Sequence, residues 1–326
     1  MTAKITTETL VQQPSLNCDP PSIEGYVSPF ANWSQESWIR SRSLRQGEIT
    51  GLPFSPELMP LAAHSAIASD QDMWLKVLAY KLFSYLRFTT LLELNHVNPI
   101  TADIASGRAP CKVTTQERQD AFRIYCDEAG HGLFTEELAL QVQKTFDLHH
   151  SMLGRPRMEL ELEAILEQNK GQLSEKLIQL FFVSISETLI TKYLTVLPHD
   201  TKVDSLVRAV VKDHADDEAK HHLFYRHLFG RIWNSITCYE KEEMGKILPR
   251  FVNAFLGPDQ EFEYRILRQV GFNQADARGI LEEVYVPSEV AKSVKKAAVP
   301  TLKMFKDANV FEIKAVEQSF EDYEYI

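Results

Sequence analysis

The sequence predicts an all-α protein built on a four-helix bundle, with additional helices following it. Three observations carry this. Four long segments repeat apolar residues at helical rather than alternating spacing, each bounded by turn residues. No alternating run is long enough for a trustworthy strand. A five-residue pattern, Asp127-Glu128-Ala129-Gly130-His131, returns as Asp217-Glu218-Ala219-Lys220-His221. Each copy sets a carboxylate and an imidazole one helical turn apart.

Taken in order, residues 1–60 read as an N-terminal arm and loop. Pro14, Pro20, Pro21 and Pro29 punctuate its first half, which either lies over the body or stays loose. Trp33 to Pro60 suggests a short helix and a loop. Residues 61–310 read as one helical domain. Its first long helix spans 70–98, is apolar nearly all round and is expected to stop at Pro99. Glu93 lies deep in that pattern, where an uncompensated carboxylate is costly. Thr114 or Thr115 caps the next helix, with Glu117 in its first turn. Gly130 and Gly132 flank His131 there and suggest a bend or a close backbone approach. Residues 147–171 read as a crossover containing a short helix. A strongly apolar helix then runs to Pro198 with Glu187 as its one central charge, and a fourth spans 201–229. Helical periodicity returns at 239–256, 259–270 and 288–306. Residues 311–326 read as a mobile acidic tail.

The fourth helix carries the most informative stripe. His214, Glu218 and His221 fall at i, i+4 and i+7, within roughly 60° of one another around the axis. Each D-E-A-x-H copy also follows a helix with a single central glutamate. Glu93 to Glu128 is 35 residues and Glu187 to Glu218 is 31. The set is therefore a two-fold pseudo-repeat of Glu, then Glu-x-x-His. That is the ligand pattern of ferritin-like, carboxylate-bridged di-iron bundles. Oxygen-rich ligands with a few imidazoles suit iron or manganese better than copper or zinc. Asp127 and Asp217 stand beside the glutamates in register. Metal-bound imidazoles need their other N–H held, so Asp217 is expected to orient His131, and Asp127 to orient His221. His214 fits either a seventh ligand or a core histidine, and the spacing alone leaves this open.

Composition narrows the classes. The chain has 326 residues, 44% hydrophobic, with a net charge of −10. An acidic chain without a basic block is a poor nucleic-acid binder. No apolar run reaches the roughly 20 residues of a membrane helix. The first residues lack a signal-peptide pattern, and Cys18, Cys111, Cys126 and Cys238 form no framework. A soluble cytoplasmic protein with free thiols is expected.

The segments E-L-N-H-V-N-P around Glu93, D-E-A-G-H, S-E-T around Glu187 and H-x-x-x-E-A-x-H-H around Glu218 resemble those of the para-aminobenzoate N-oxygenase family. The resemblance spans about residues 70–230. It implies two iron ions, with O2 as co-substrate, oxidising a primary amine towards hydroxylamine, nitroso or nitro products in secondary metabolism. By the same resemblance the ligands are Glu93, Glu128, His131, Glu187, His214, Glu218 and His221. The third histidine separates this family from ferritins. Electrons are expected from an external donor, since the chain carries no flavin or nicotinamide fingerprint.

Tyr85, Phe88, Leu92 and Leu197, with Phe182, lie one or two turns from these residues on inner faces, and are expected to wall a substrate cavity. Tyr85 is the foremost substrate contact among them. Arg278, Lys292 and Lys295 are candidate anchors for an acidic substrate. The lysines between 292 and 306 offer a basic rim for a carrier-bound amino acid. A homodimer is a further possibility. Two other readings compete: a ferritin-like iron-storage or peroxide-scavenging protein, and a di-iron C–H hydroxylase or desaturase.

Overall fold

The computed structural model describes residues 25–149, 154–189 and 192–326. Residues 1–24 of the expected N-terminal arm and loop, with Pro14, Cys18, Pro20 and Pro21, lie outside the described residues, as does His150 in the expected crossover. No strand occurs among them. Two short helices, α1 (Trp33–Glu36) and α2 (Trp38–Ser41), lead through a loop and two 3-10 turns (Pro56–Leu58 and Pro60–Ala63) to α3 (Ser65–Ala68). From Gly25 to Leu61 the chain lies over the body, burying Phe30, Trp38, Phe54 and Met59.

Asp70 caps α4 (Gln71–Leu92) by accepting from the amides of Asp72 and Met73. The expected stop at Pro99 does not occur. The helix instead passes through a π-turn, Glu93–Val97, into α5 (Asn98–Ala105). The Asn98 amide bonds the Glu93 carbonyl five residues back. Pro99 then falls in the first turn of α5, where a missing N–H costs least. Helix α6 (Thr115–Phe146) opens on a full capping box, Thr114 with Glu117. It is continuous through Gly130 and Gly132. Those glycines serve close approach: a Cβ on Gly130 would lie 3.3 Å from the Trp38 ring, and one on Gly132 would lie 3.2 Å from Leu94.

After α7 (Arg157–Gln168), the helix expected to reach Pro198 is broken. It becomes α8 (Glu175–Ser186) and α9 (Lys192–Val196), leaving Glu187 at the α8 C-terminus. Ser184, Ser186 and Thr188 each turn a hydroxyl back onto a carbonyl of the preceding turn, at 2.8, 2.8 and 3.0 Å. Such bonds compete with the helical ladder. Helix α10 (Ser205–Ser235) runs six residues beyond its expected end.

α4, α6, α8 and α10 form the bundle, with α4 and α5 along α6, and α10 against both α6 and α8. One apolar cluster gathers around Tyr80, Phe83, Phe134 and Phe262, the other around Phe181, Phe224, Trp233 and Phe251. Four further helices follow: α11 (Cys238–Leu256), α12 (Gln260–Gln269), α13 (Gln274–Val284) and α14 (Pro287–Asp307). Of these, α13 went unanticipated. The expected mobile tail forms α15 (Lys314–Asp322), which buries Val316 and Phe320 against α11. Val316 packs so closely on Gly245 that a Cβ there would lie 2.3 Å from it.

Candidate metal centre

The bundle gathers the side chains picked out by spacing. Glu93 opens the π-turn, Glu128 and His131 lie mid-way along α6, and Glu187 ends α8. His214, Glu218 and His221 line the stripe on α10. Glu93, His131, His214 and Glu218 bring one ligand atom each within 4.8 Å of one another, as do Glu128, His131, Glu218 and His221. The two sets share His131 and Glu218. Glu187 lies just outside them, its Oε2 3.9 Å from His221 Nδ1.

Two of the imidazoles turn one ring nitrogen to an aspartate and the other into the cluster. His131 turns Nε2 to Asp217 Oδ2 at 3.4 Å, and His221 turns Nε2 to Asp127 Oδ2 at 3.3 Å. A carboxylate only accepts, so each Nε2 carries the proton. Each Nδ1 then faces the cluster. His131 Nδ1 lies 3.3 Å from both Glu128 and Glu218, while His221 Nδ1 lies 3.0 Å from Glu128 and 3.2 Å from Glu218. His214 presents Nε2, 3.0 Å from Glu93 and 3.2 Å from Glu218.

Four buried atoms here have no hydrogen-bond partner: Glu93 Oε2, Glu128 Oε1, Glu187 Oε2 and His221 Nδ1. Orphaned atoms of this kind are expensive unless something else binds them. Hard carboxylate oxygens mixed with imidazole nitrogens, all converging, fit paired divalent cations.

Without metal, protons must fill that role. Burial raises Glu187 well above the ordinary carboxylate range, and the neighbouring Glu218 and Glu128 push it the same way. Burial likewise lifts Glu93 to about 7, against the pull of His214. Burial disfavours charged imidazoles, yet the surrounding carboxylates outweigh it. They raise His214 to about 9 and both His131 and His221 well above normal. Conversely, the three histidines hold Glu218 low despite its burial.

An outer layer of contacts carries no sequence signal. Trp33 Nε1 donates to both oxygens of Asp127 at 2.9 Å, and Ser37 Oγ donates to Oδ1 at 2.5 Å. The Trp38 amide donates to Asp217 Oδ2 at 3.1 Å.

The family model for p-aminobenzoate N-oxygenase AurF matches residues 38–309, most of the chain, a span within which all seven of these residues fall. The chain belongs to the p-aminobenzoate N-oxygenase family. It is therefore an N-oxygenase of a di-iron class, and its helical fold agrees with that family. No match is found among curated proteins.

As an N-oxygenase it needs a place for the amine. Tyr85 is buried, its hydroxyl has no hydrogen-bond partner, and its ring meets Tyr193 edge-on at 5.3 Å. Burial, then the charges of Glu93 and Glu218, raise its pKa. Tyr85 and Leu197 belong to one apolar cluster, whereas Phe88, Leu92 and Phe182 pack with the other. The expected wall is thus split between the two sides of the bundle.

The expected cationic anchors do not enter the site. Arg278 is exposed and stacks on Tyr264, Lys292 pairs with Glu289, and Lys295 is exposed. The amphipathic α14 turns Val294, Ala298 and Thr301 inward, which forces its lysines outward. A cavity of about 680 Å3 lies between α7 and α12, away from the seven residues, and Arg155, Arg157 and Arg265 line it. No helix among the described residues is long and apolar enough to cross a membrane.

Proposed function

We propose that the seven gathered residues hold two irons, and that the enzyme N-oxygenates an arylamine acid. The observation carrying this is the set of inward-turned nitrogens and unpartnered carboxylate oxygens on four facing helices. Glu93, His131 and His214 would serve one metal; Glu187 and His221 would serve the other. Glu128 and Glu218 lie between the histidines of both halves and are suited to bridge. Bound there, the irons supply reduction of O2 next to the amine nitrogen, with electrons from an external donor.

The chain's own contribution is placement and exclusion of water. Tyr85 offers an unspent hydroxyl near Glu93, suited to donate to a polar atom of the substrate. Phe88, Leu92 and Leu197 supply apolar surface for an aromatic ring on either side of the bundle. Asp127 and Asp217 keep the Nε2 protons of His221 and His131, so that both Nδ1 lone pairs stay available. With three histidines among the ligands, an iron-storage role is disfavoured. The exposed α14 lysines would receive an acidic carrier protein if the amine arrives tethered.

The test is anaerobic loading with ferrous iron, followed by O2 with and without p-aminobenzoate, with mass spectrometry of the products. Two irons per chain and an N-oxygenated product are expected. Iron oxidation that ignores the amine and ends in mineral would favour storage. A ring-hydroxylated product would favour C–H chemistry.

A further inference from the structure

Asp127, Asp213 and Asp217 share a position in sequence: each immediately precedes one of the seven residues, namely Glu128, His214 and Glu218. All three are buried, and all three are met by one short segment, residues 33–45. Trp33 and Ser37 donate to Asp127. The Trp38 amide donates to Asp217. Arg45 grips Asp213 through Nε at 2.7 Å and Nη2 at 2.8 Å, and Arg42 adds a second guanidinium. A buried aspartate left unpaired would be costly. This segment is what makes the three tolerable where they stand.

The three contacts differ in kind. Asp127 is held at both oxygens by side chains, so its carboxylate cannot swivel away from His221. Asp217 has one main-chain donor besides His131, and its Oδ1 has no hydrogen-bond partner, only Lys220 Nζ at 3.8 Å. Side-chain substitutions in the segment can therefore loosen the His221 half while leaving the Trp38 amide on the His131 half.

We infer that residues 33–45 form a positioning strap for the metal centre, and that Trp33 and Ser37 set metal affinity at the His221 half through Asp127. This rests on the metal assignment proposed above. Trp33 and Ser37 touch no ligand atom themselves and act only by fixing Asp127. Trp33 and Ser37 lie just before the residues matched to the family.

The test uses the full chain carrying Trp33→Phe together with Ser37→Ala, which removes both donors while keeping an aromatic ring. Cobalt(II) serves as an optically visible probe that does not consume O2. In the unaltered protein two cobalt ions should bind per chain. The double variant should bind one of them roughly 10- to 100-fold more weakly and the other within about twofold. Metal-free thermal melting monitors the fold separately; a strap that merely supports the fold would weaken both ions together. Equal loss at both positions, or loss at neither, would overturn the inference. If the double variant does not fold, Trp33→Phe alone, at a half-exposed position, should give the same one-sided loss in smaller measure, and equal or no loss there would overturn it too. Fewer than two ions in the unaltered protein would instead defeat the metal assignment itself.

Discussion

His214 distinguishes this cluster from a plainer set of four glutamates and two histidines. Removing it takes away one inward nitrogen and no cap or core aromatic. His214→Ala is therefore expected to fold with unchanged helicity by circular dichroism and to lose N-oxygenated product. Full product formation in that variant would contradict a ligand role. Proton inventory offers a second check at this scale. With His214 raised to about 9, the imidazole still holds its proton at pH 8, and an incoming cation must displace it. Ferrous binding at pH 8 should release protons into a weakly buffered indicator dye, and affinity should climb as pH rises towards 9 and level off above it. Binding without release at pH 8 would mean the imidazole is not displaced. Five of the seven residues were legible because Glu-x-x-His and His-x-x-x-Glu are local motifs that helical geometry puts on one face. Glu93 and Glu187 stood out as single central glutamates in apolar helices, and the role of His214 came only from the family resemblance. Trp33 and Ser37 were not legible, because their contacts to Asp127 span 94 and 90 residues and neither residue type advertises ligand chemistry. The split of Tyr85 and Leu197 from Phe88, Leu92 and Phe182 was not legible, since helical spacing says which side faces inward but not which apolar cluster it joins.

Among the elements, periodicity revealed each bundle helix but missed where the hydrogen-bond ladder changes step. The π-turn at Glu93 and the break after Ser186 both fall where a glutamate must enter the centre, and both depend on ladder register rather than residue pattern. The start of α6 was readable from Thr114 and Glu117, yet the link it makes was not. Glu117 also accepts from His227 at 2.9 Å and pairs with Arg231, tying α6 to α10. Burial alone would raise this carboxyl, but His227, Arg231 and Thr114 bring it down to about 2. A depressed acid stabilises the fold fully above its unfolded value of about 4.5, and the gain is lost as pH falls towards 2. A shift of that size corresponds to roughly 3 kcal/mol. Glu117→Gln should therefore lower stability near neutral pH by about that amount and flatten the stability profile between pH 4.5 and 2, as measured by urea unfolding. An unchanged acid limb would remove Glu117 as its source.

At the level of the whole molecule, the C-terminal helices continue the bundle core rather than hanging from it. Phe320 is fully buried among Phe305, Phe311 and Tyr325. Phe320→Ala should cost about 3–5 kcal/mol in chemical denaturation, with cobalt affinity unchanged; a cost under 1 kcal/mol would mean α15 is not part of the core. The acidic composition of residues 311–326 hid this, because a few buried apolar residues decide the docking while the charges merely face water. The crossed aspartates carry a consequence for the molecule's assembly. Asp127 on α6 serves the imidazole of α10, and Asp217 on α10 serves that of α6. Each helical half thus keeps the partner its sibling lacks, like two halves of a torn ticket. Severed in the crossover between them, neither piece could orient its own histidine, and only reunion of the two would restore both.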